Sequence, residues 1–283
     1  MNCYLCKSSE FKVRDGSVRD NPKIKVLECL TCGLVQLNSQ DHLKEGHYES
    51  SRMHGKNPPE IEEMLRASSE DDERRFHNLR RILVNKRVLD FGCGNGGFLK
   101  KAQELASAVS GVEPEQRVQK HYQSKIQIFP DLNAAKGGLY DLITAFHVIE
   151  HLPDPVKTLV EMQGLLTKNG RIIIEVPSSS DILLTLFACK AFQNFTYWSQ
   201  HLYLFNTQTL RILIEEAGYK VLSIEQYQRY PLSNHLYWLS QGKPGGHNNW
   251  SFIDAHELDS AYKNNLAKIG SCDTLIAHLE LPK

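Results

Sequence analysis

The sequence predicts an α/β protein, a seven-stranded and mostly parallel sheet with helices on both faces, preceded by a small N-terminal metal module. Three observations carry this. From Arg87 onward, short apolar strands alternate with helical patterns. The glycine-rich run 92–97 follows the first of these strands and opens a helix. Two CxxC pairs, Cys3/Cys6 and Cys29/Cys32, fall in the first 45 residues.

Residues 1–45, which hold the cysteine pairs, read as the metal module. Residues 46–86 read as a connecting helical segment. Pro59 suits a first helical turn, and Ile61, Met64, Leu65, Phe76, Leu79 and Leu83 recur at helical spacing. The acidic run Glu70 to Glu73 reads as a solvated face or a helix start. Residues 87–283 form the main domain. Strands are expected at 87–91, 108–113, 126–129, 140–146, 171–176, 220–224 and 274–281. Helices are expected at 98–106, 155–166 and 207–217.

Composition narrows the function classes. The 283 residues suit one large domain with an appendage. Lys plus Arg and Asp plus Glu are both 33, so the formal net charge is zero. Phosphate contacts dominate nucleic-acid affinity, so a neutral chain disfavours RNA or DNA as substrate. Seven cysteines, an odd number, with no basic-then-apolar leader after Met1, point to a reducing, cytoplasmic setting. The most apolar stretch, 181–192, is too short to span a bilayer and contains Lys190.

The central motif is Val88-Leu89-Asp90-Phe91-Gly92-Cys93-Gly94-Asn95-Gly96-Gly97. Glycines permit a tight turn and close approach of a ligand to the backbone. Gly92, Gly94 and Gly97 also satisfy GxGxxG, so a nicotinamide dinucleotide is an alternative ligand. Asp90 discriminates: a carboxylate beside the turn repels a pyrophosphate and attracts the ammonium and sulfonium of S-adenosylmethionine (SAM). Glu113, followed by Pro114, ends the second strand about 20 residues on, where an acid binds ribose hydroxyls of either cofactor.

With these residues the chain resembles the class I SAM-dependent methyltransferases, whose first motif has the form acid-x-Gly-x-Gly-x-Gly, on a Rossmann-like domain. The resemblance covers roughly residues 80–225. It implies cofactor contacts from Asp90, Gly92, Cys93, Gly94, Gly96, Glu113 and Pro114, and from Asp131 and Leu132 at the adenine. Strand four, Tyr140 to Leu152, resembles the family's motif with its Glu-His-Leu ending. That places Phe146 and His147 beside the cofactor's methionine part, and makes His147 and His151 catalytic candidates; local helix-start hydrogen bonds are the alternative for His151.

The two CxxC knuckles lie 22 residues apart and can set four thiolates in a tetrahedron around Zn²⁺. Four thiolates leave no open position, so the expected metal is structural and the module a zinc ribbon. A ribbon followed by a class I domain resembles bacterial methyltransferases of nucleotide-linked sugars or other surface-polysaccharide intermediates. The sugar C-methyltransferases of that group carry a further C-terminal domain, whereas this sequence ends near the seventh predicted strand. The resemblance therefore leaves O- or N-methylation of a related substrate.

Residues 178–205 read as a lid insertion rich in aromatics, including Phe187, Phe192, Phe195, Trp198 and Tyr203. His201, in a family-like His-Leu-Tyr stretch, is the first choice for general base, with a satisfied core histidine as the alternative. After strand six, Arg229 and Lys243 can neutralise an anionic group, so an anionic sugar derivative is the expected substrate. Tyr48, Trp198, Tyr203, Arg229 and His235 are the candidate substrate contacts. Two rival functions remain: an RNA methyltransferase that reads RNA through the ribbon, and a non-catalytic SAM-binding interaction protein.

Overall fold

The computed structural model describes residues 1–43 and 58–282. Tyr48 lies outside the described residues.

The N-terminal module is a three-stranded antiparallel meander: β1 (Phe11–Val13), β2 (Val26–Cys29) and β3 (Val35–Leu37). Helix α1 (Ile61–Leu83) follows, with Ile61, Leu79 and Leu83 buried at helical spacing. The main domain then alternates: β4 (Arg87–Phe91), α2 (Gly97–Ala102), β5 (Ala108–Val112), α3 (Gln116–Tyr122), β6 (Gln127–Phe129), β7 (Tyr140–Phe146), α4 (Pro155–Gln163) and β8 (Leu166–Pro177). Next come α5 (Lys190–Thr196), β9 (Tyr203–Leu204), α6 (Thr207–Glu216) and β10 (Lys220–Tyr227). The chain closes with α7 (Leu232–Gln241), α8 (Gly246–Asn249), α9 (His256–Lys268) and β11 (Thr274–Glu280).

The seven-stranded sheet has the order β6-β5-β4-β7-β8-β11-β10. Pairs from β6 to β8 are parallel, while β11 runs antiparallel to both neighbours. The order reverses between β4 and β7, the switch point at which open α/β sheets bind ligands beyond their carboxyl ends. The central strands are near-continuous apolar runs, as burial on both faces requires: Val88 and Leu89 in β4, and Ile172 to Ile174 in β8, are 0–1% exposed. This is the Rossmann-like architecture that the alternating pattern predicts.

Two features were not legible. β9, inside the 178–205 insertion, joins the N-terminal meander as its fourth strand, pairing Leu204 with Val35 and Tyr203 with Gln36. Leu34, Val35 and Leu37 of the module therefore share one apolar core with Ile149, Leu202 and Phe205 of the main domain. The acidic run is only half a solvated face: on α1, Glu70 and Glu73 are exposed, but Asp72 is 5% exposed and Asp71 pairs with Arg229.

Candidate functional site

A cleft of about 350 Å³ opens at the carboxyl ends of β4, β5 and β7, lined by Phe91, Gly92, Gly94, Asn95, Glu113, Phe146 and His147 among others. The turn after β4 needs its glycines. Gly92 has φ +69°, and a Cβ there would lie 2.4 Å from Val148 Cγ2. Gly94, at φ +50°, would meet nothing within 4 Å, so its backbone faces open space. Glu113 fixes the turn: its two oxygens accept from the N–H groups of Gly94 and Glu115, each at 3.0 Å. Burial raises the Glu113 carboxyl, against these hydrogen bonds.

The sequence-predicted cofactor residues divide into two groups. Gly92, Gly94, Glu113, Pro114, Phe146 and His147 line the cleft. Asp90 stands behind the wall, 3% exposed, with the Thr144 hydroxyl donating to it at 2.7 Å, and burial pushes it up to about 7. Cys93 and Gly96 are buried beneath the turn. Asp131 caps a turn through the N–H of Ala134, and Leu132 packs in the core, so neither is on the wall. Met64 of α1, Glu115, Val148 and Leu152 complete the lining and were not singled out from the sequence. Helix α1 is tied to the glycine turn by Asn95 and Ser68, whose hydroxyl in turn donates to Asp72. Among the described residues no Lys or Arg lines the cleft, and its titratable groups include the carboxyls of Glu113 and Glu115 and the imidazole of His147.

A second cavity, of about 220 Å³, lies under the 178–205 insertion and α7. Phe192, Phe195, Tyr230 and Trp238 supply aromatic walls, Asp181 and Asp273 an acidic side, and His201 and His235 reach it. His147 lines both cavities. Its backbone has φ +56°, a strained conformation for a residue other than glycine, and its N–H donates to the Glu175 carbonyl at 2.8 Å. Its Nδ1 is 3.3 Å from Glu150 and its Nε2 3.1 Å from Glu175. Burial would lower the His147 pKa, but the two carboxylates outweigh it and raise the group above its ordinary value.

Glu175 is 1% exposed, but His147, then Arg75 and Arg74, overcome its burial and hold its carboxyl well below the usual range. This buried network of Arg74, Arg75, Glu150 and Glu175 was invisible in sequence, because α1 and β8 meet only in the fold.

His201 reaches the second cavity with an Nδ1 that has no hydrogen-bond partner among the described residues. Burial, then repulsion from His151, pushes it down to about 3. His151 lines the first cleft, 5.0 Å ring to ring from His201, and burial lowers it as well. Trp198 stacks edge-on against His201 at 5.4 Å.

Arg229 lines the second cavity, but its guanidinium is already committed to Asp71, and its N–H donates to Asp273. Its expected role as a free anion receptor is thereby weakened. Lys243 lies over the Tyr237 ring rather than on the cavity wall. Tyr203 is buried in β9, bonded to Pro153 and Gln40, and touches neither cavity.

At the N-terminus, one donor from each of Cys3, Cys6, Cys29 and Cys32 lies within 4.8 Å of the others, with closest pairs at 3.5 Å and 3.4 Å. A tetrahedron with Zn–S bonds of about 2.3 Å has sulfur–sulfur edges of ~3.8 Å, so the four thiols fit such a site with little movement. Burial opposes ionisation of Cys29, but the N–H groups of Cys32 and Thr31 outweigh it and bring this thiol down to about 7.

Residues 61–224 match a family model described as a methyltransferase domain. The chain is 31% identical over 106 residues to the ubiquinone biosynthesis O-methyltransferase of Aromatoleum aromaticum, covering 32% of this chain and 43% of that protein. A tRNA U34 carboxymethyltransferase of Alcanivorax borkumensis is 30% identical over 105 residues, 33% of each chain. The matches thus span less than half the length of these curated relatives. Among solved structures, a chain of the Haloferax volcanii complex containing the Trm112 methyltransferase activator superposes with a TM-score of 0.53. That match covers 81% of this chain and 100% of that one at 12% identity, a likeness of fold. The matched family segment takes in more than half of the sequence, and the chain belongs to the methyltransferase domain family.

Proposed function

We propose that the chain is a SAM-dependent methyltransferase with a small-molecule acceptor. The observation that carries this reading is the meeting of two cavities at His147, one beside the glycine turn and one under the aromatic insertion. The first suits SAM: Glu113 and Glu115 bring two carboxyls to its wall beside the glycine turn, which favour a cationic ligand over a pyrophosphate. Glu113, pinned by two backbone N–H groups, keeps lone pairs for ribose hydroxyls. Bound SAM supplies an electrophilic methyl whose sulfur leaves as a neutral thioether.

The chain's own part is alignment and exclusion of water, which supply much of the acceleration in such a displacement. Phe192, Phe195 and Trp238 desolvate the acceptor. His201, neutral at the edge of the acceptor cavity, can help orient the acceptor, but at about 3 it is too weak a base to take the nucleophile's proton. His147, clasped by two carboxylates, holds a fixed charge between the cavities rather than serving as a free base.

The small aromatic cavity favours a sugar ring or another compact acceptor over an RNA chain, whose phosphates would find Arg229 already paired. The resemblance to surface-polysaccharide methyltransferases supports a sugar acceptor, while the paired Arg229 and the Asp181 and Asp273 side disfavour a nucleotide diphosphate within this cavity. The relatives named for ubiquinone biosynthesis support an O-methyl acceptor of that pathway. The four-cysteine cluster supports a structural Zn²⁺.

The test is incubation with methyl-labelled SAM and three acceptor sets: nucleotide-linked sugars, small phenols, and total tRNA. Label in either small-molecule set supports the reading. Label confined to tRNA replaces it with the RNA reading. SAM binding with no transfer to a complete cell extract replaces it with a non-catalytic role.

A further inference from the structure

We propose that the N-terminal metal module braces the acceptor site from behind, lining none of its cavity with its described residues, and that its Arg19 and Asp20 are positioning residues for the Trp198–His201 turn. The proposal rests on the reading of His201 above.

The turn is closed by the His201 N–H donating to the Trp198 carbonyl at 3.0 Å. The Ser199 N–H and hydroxyl are satisfied by the module. Asp20 accepts from the Ser199 N–H at 3.0 Å and from the Ser199 hydroxyl at 2.6 Å, and Ser199 is 4% exposed. The Arg19 guanidinium lies 4.6 Å from the Trp198 ring centre and donates to the Phe195 carbonyl, while its backbone N–H donates to Tyr197. Trp198 in turn packs against both His201 and His151. Immediately after the turn the chain enters β9 and pairs with β3, and the Leu37 N–H donates to the Leu202 carbonyl at 3.0 Å.

The module grips the opposite rim as well. Tyr4 sits between the two cysteines of the first pair. Its hydroxyl donates to Asp154 at 2.5 Å and accepts from the Val156 N–H at 3.0 Å. Its ring packs 5.1 Å from Tyr203, whose hydroxyl donates to the Pro153 carbonyl. One small module therefore holds the segment carrying His201 and the loop that follows Glu150 and His151. The surface carboxylate of Asp20 makes two charge-assisted hydrogen bonds to buried Ser199, so Asp20 is a strong link in this clasp. Arg19 and Asp20 are themselves exposed, so replacing them opens no cavity in the core.

The experiment uses the full, metal-loaded chain and compares Asp20→Ala, Asp20→Asn, Arg19→Leu and Arg19→Lys by hydrogen exchange, imidazole NMR and S-adenosylhomocysteine calorimetry. In Asp20→Ala, amides of 198–204 should exchange about tenfold faster or more, while 87–113 and ligand affinity stay unchanged within about twofold. Asp20→Asn, which keeps one acceptor, should recover part of the protection, and Arg19→Lys should recover more than Arg19→Leu. The His201 ring, faced by Glu150, His151 and His147 of the strand-four loop and by Arg19 of the module, should show no titration between pH 5 and 8 in the parent and begin to titrate in Asp20→Ala. Unchanged exchange and an unchanged His201 signal in Asp20→Ala and Arg19→Leu overturn the proposal, as does equal acceleration throughout 87–113. Failure of the parent to bind S-adenosylhomocysteine would remove the proposed activity, while the exchange data would still decide whether the clasp exists.

Discussion

The Nε2 of His147 lies 3.1 Å from Oε1 of Glu175, and the same carboxylate oxygen takes Arg74 at 2.8 Å and Arg75 at 2.9 Å. One carboxylate, 1% exposed, thus joins the loop between the two cavities to helix α1. Removing it strands cations in the interior. Glu175→Ala should cost about 3–5 kcal/mol in urea denaturation, and Glu175→Gln less because an acceptor remains. A loss below about 1 kcal/mol for Glu175→Ala would show that the network is solvated in solution.

Gly92 and Gly94 separate folding from binding. Gly92→Ala meets Val148 at a positive φ, and should lose about 1–3 kcal/mol of stability together with ligand affinity. Gly94→Ala meets no protein atom, so its smaller backbone cost should come with a selective loss of S-adenosylhomocysteine affinity, about tenfold. Thermal denaturation and calorimetry on the pair decide this. Equal effects on both properties in both variants would remove the turn from the binding surface.

Two buried neutral histidines set an acid limit. Burial holds His201 at about 3 and His235 at about 4. In the unfolded chain both gain protons as pH falls through ~6.5, so the unfolded state binds more protons and folding stability declines with falling pH. Each contributes up to ~1.4 kcal/mol per pH unit below ~6.5, until its folded pKa is reached. His147 works the other way: its raised pKa adds stability below its unfolded value, lost as pH rises through the folded one. His235→Gln should make the decline in urea midpoint from pH 6.5 to 5 shallower. An unchanged slope would show that His235 is protonated in the folded chain.

The cysteine cluster predicts one zinc per chain by elemental analysis, lost in Cys6→Ser and on strong chelation, with unfolding of the module. Less than about a tenth of an equivalent in protein purified without chelator would contradict a tight four-thiolate site.

The parallel sheet was legible because each strand is an apolar run that ends at a turn, and the glycine turn because only glycine tolerates its geometry. Glu113 and His147 were found from their places at strand ends. What sequence could not show depends on which distant residues meet. Asp71 and Asp72 read as solvated because their partners, Arg229 and Ser68, are identified only by packing. Tyr203 read as a cleft aromatic because its strand partner lies in the N-terminal module. Helix α7 was missed because its buried residues include Ser233, Asn234 and His235, which blur the apolar period, and α9 because it buries only Leu266 and so shows little apolar period. Asp90 was read as the selecting charge, whereas Glu113 and Glu115 stand on the cleft wall itself.

The central claim is that the cleft beside the glycine turn receives a sulfonium cofactor, and isothermal titration of the chain with S-adenosylhomocysteine and with NAD⁺ tests it most directly. The account predicts one site for S-adenosylhomocysteine, weakened at least about tenfold in Glu113→Ala, and no measurable heat with NAD⁺. Binding of NAD⁺ in preference, or S-adenosylhomocysteine binding that Glu113→Ala leaves unchanged, would contradict it.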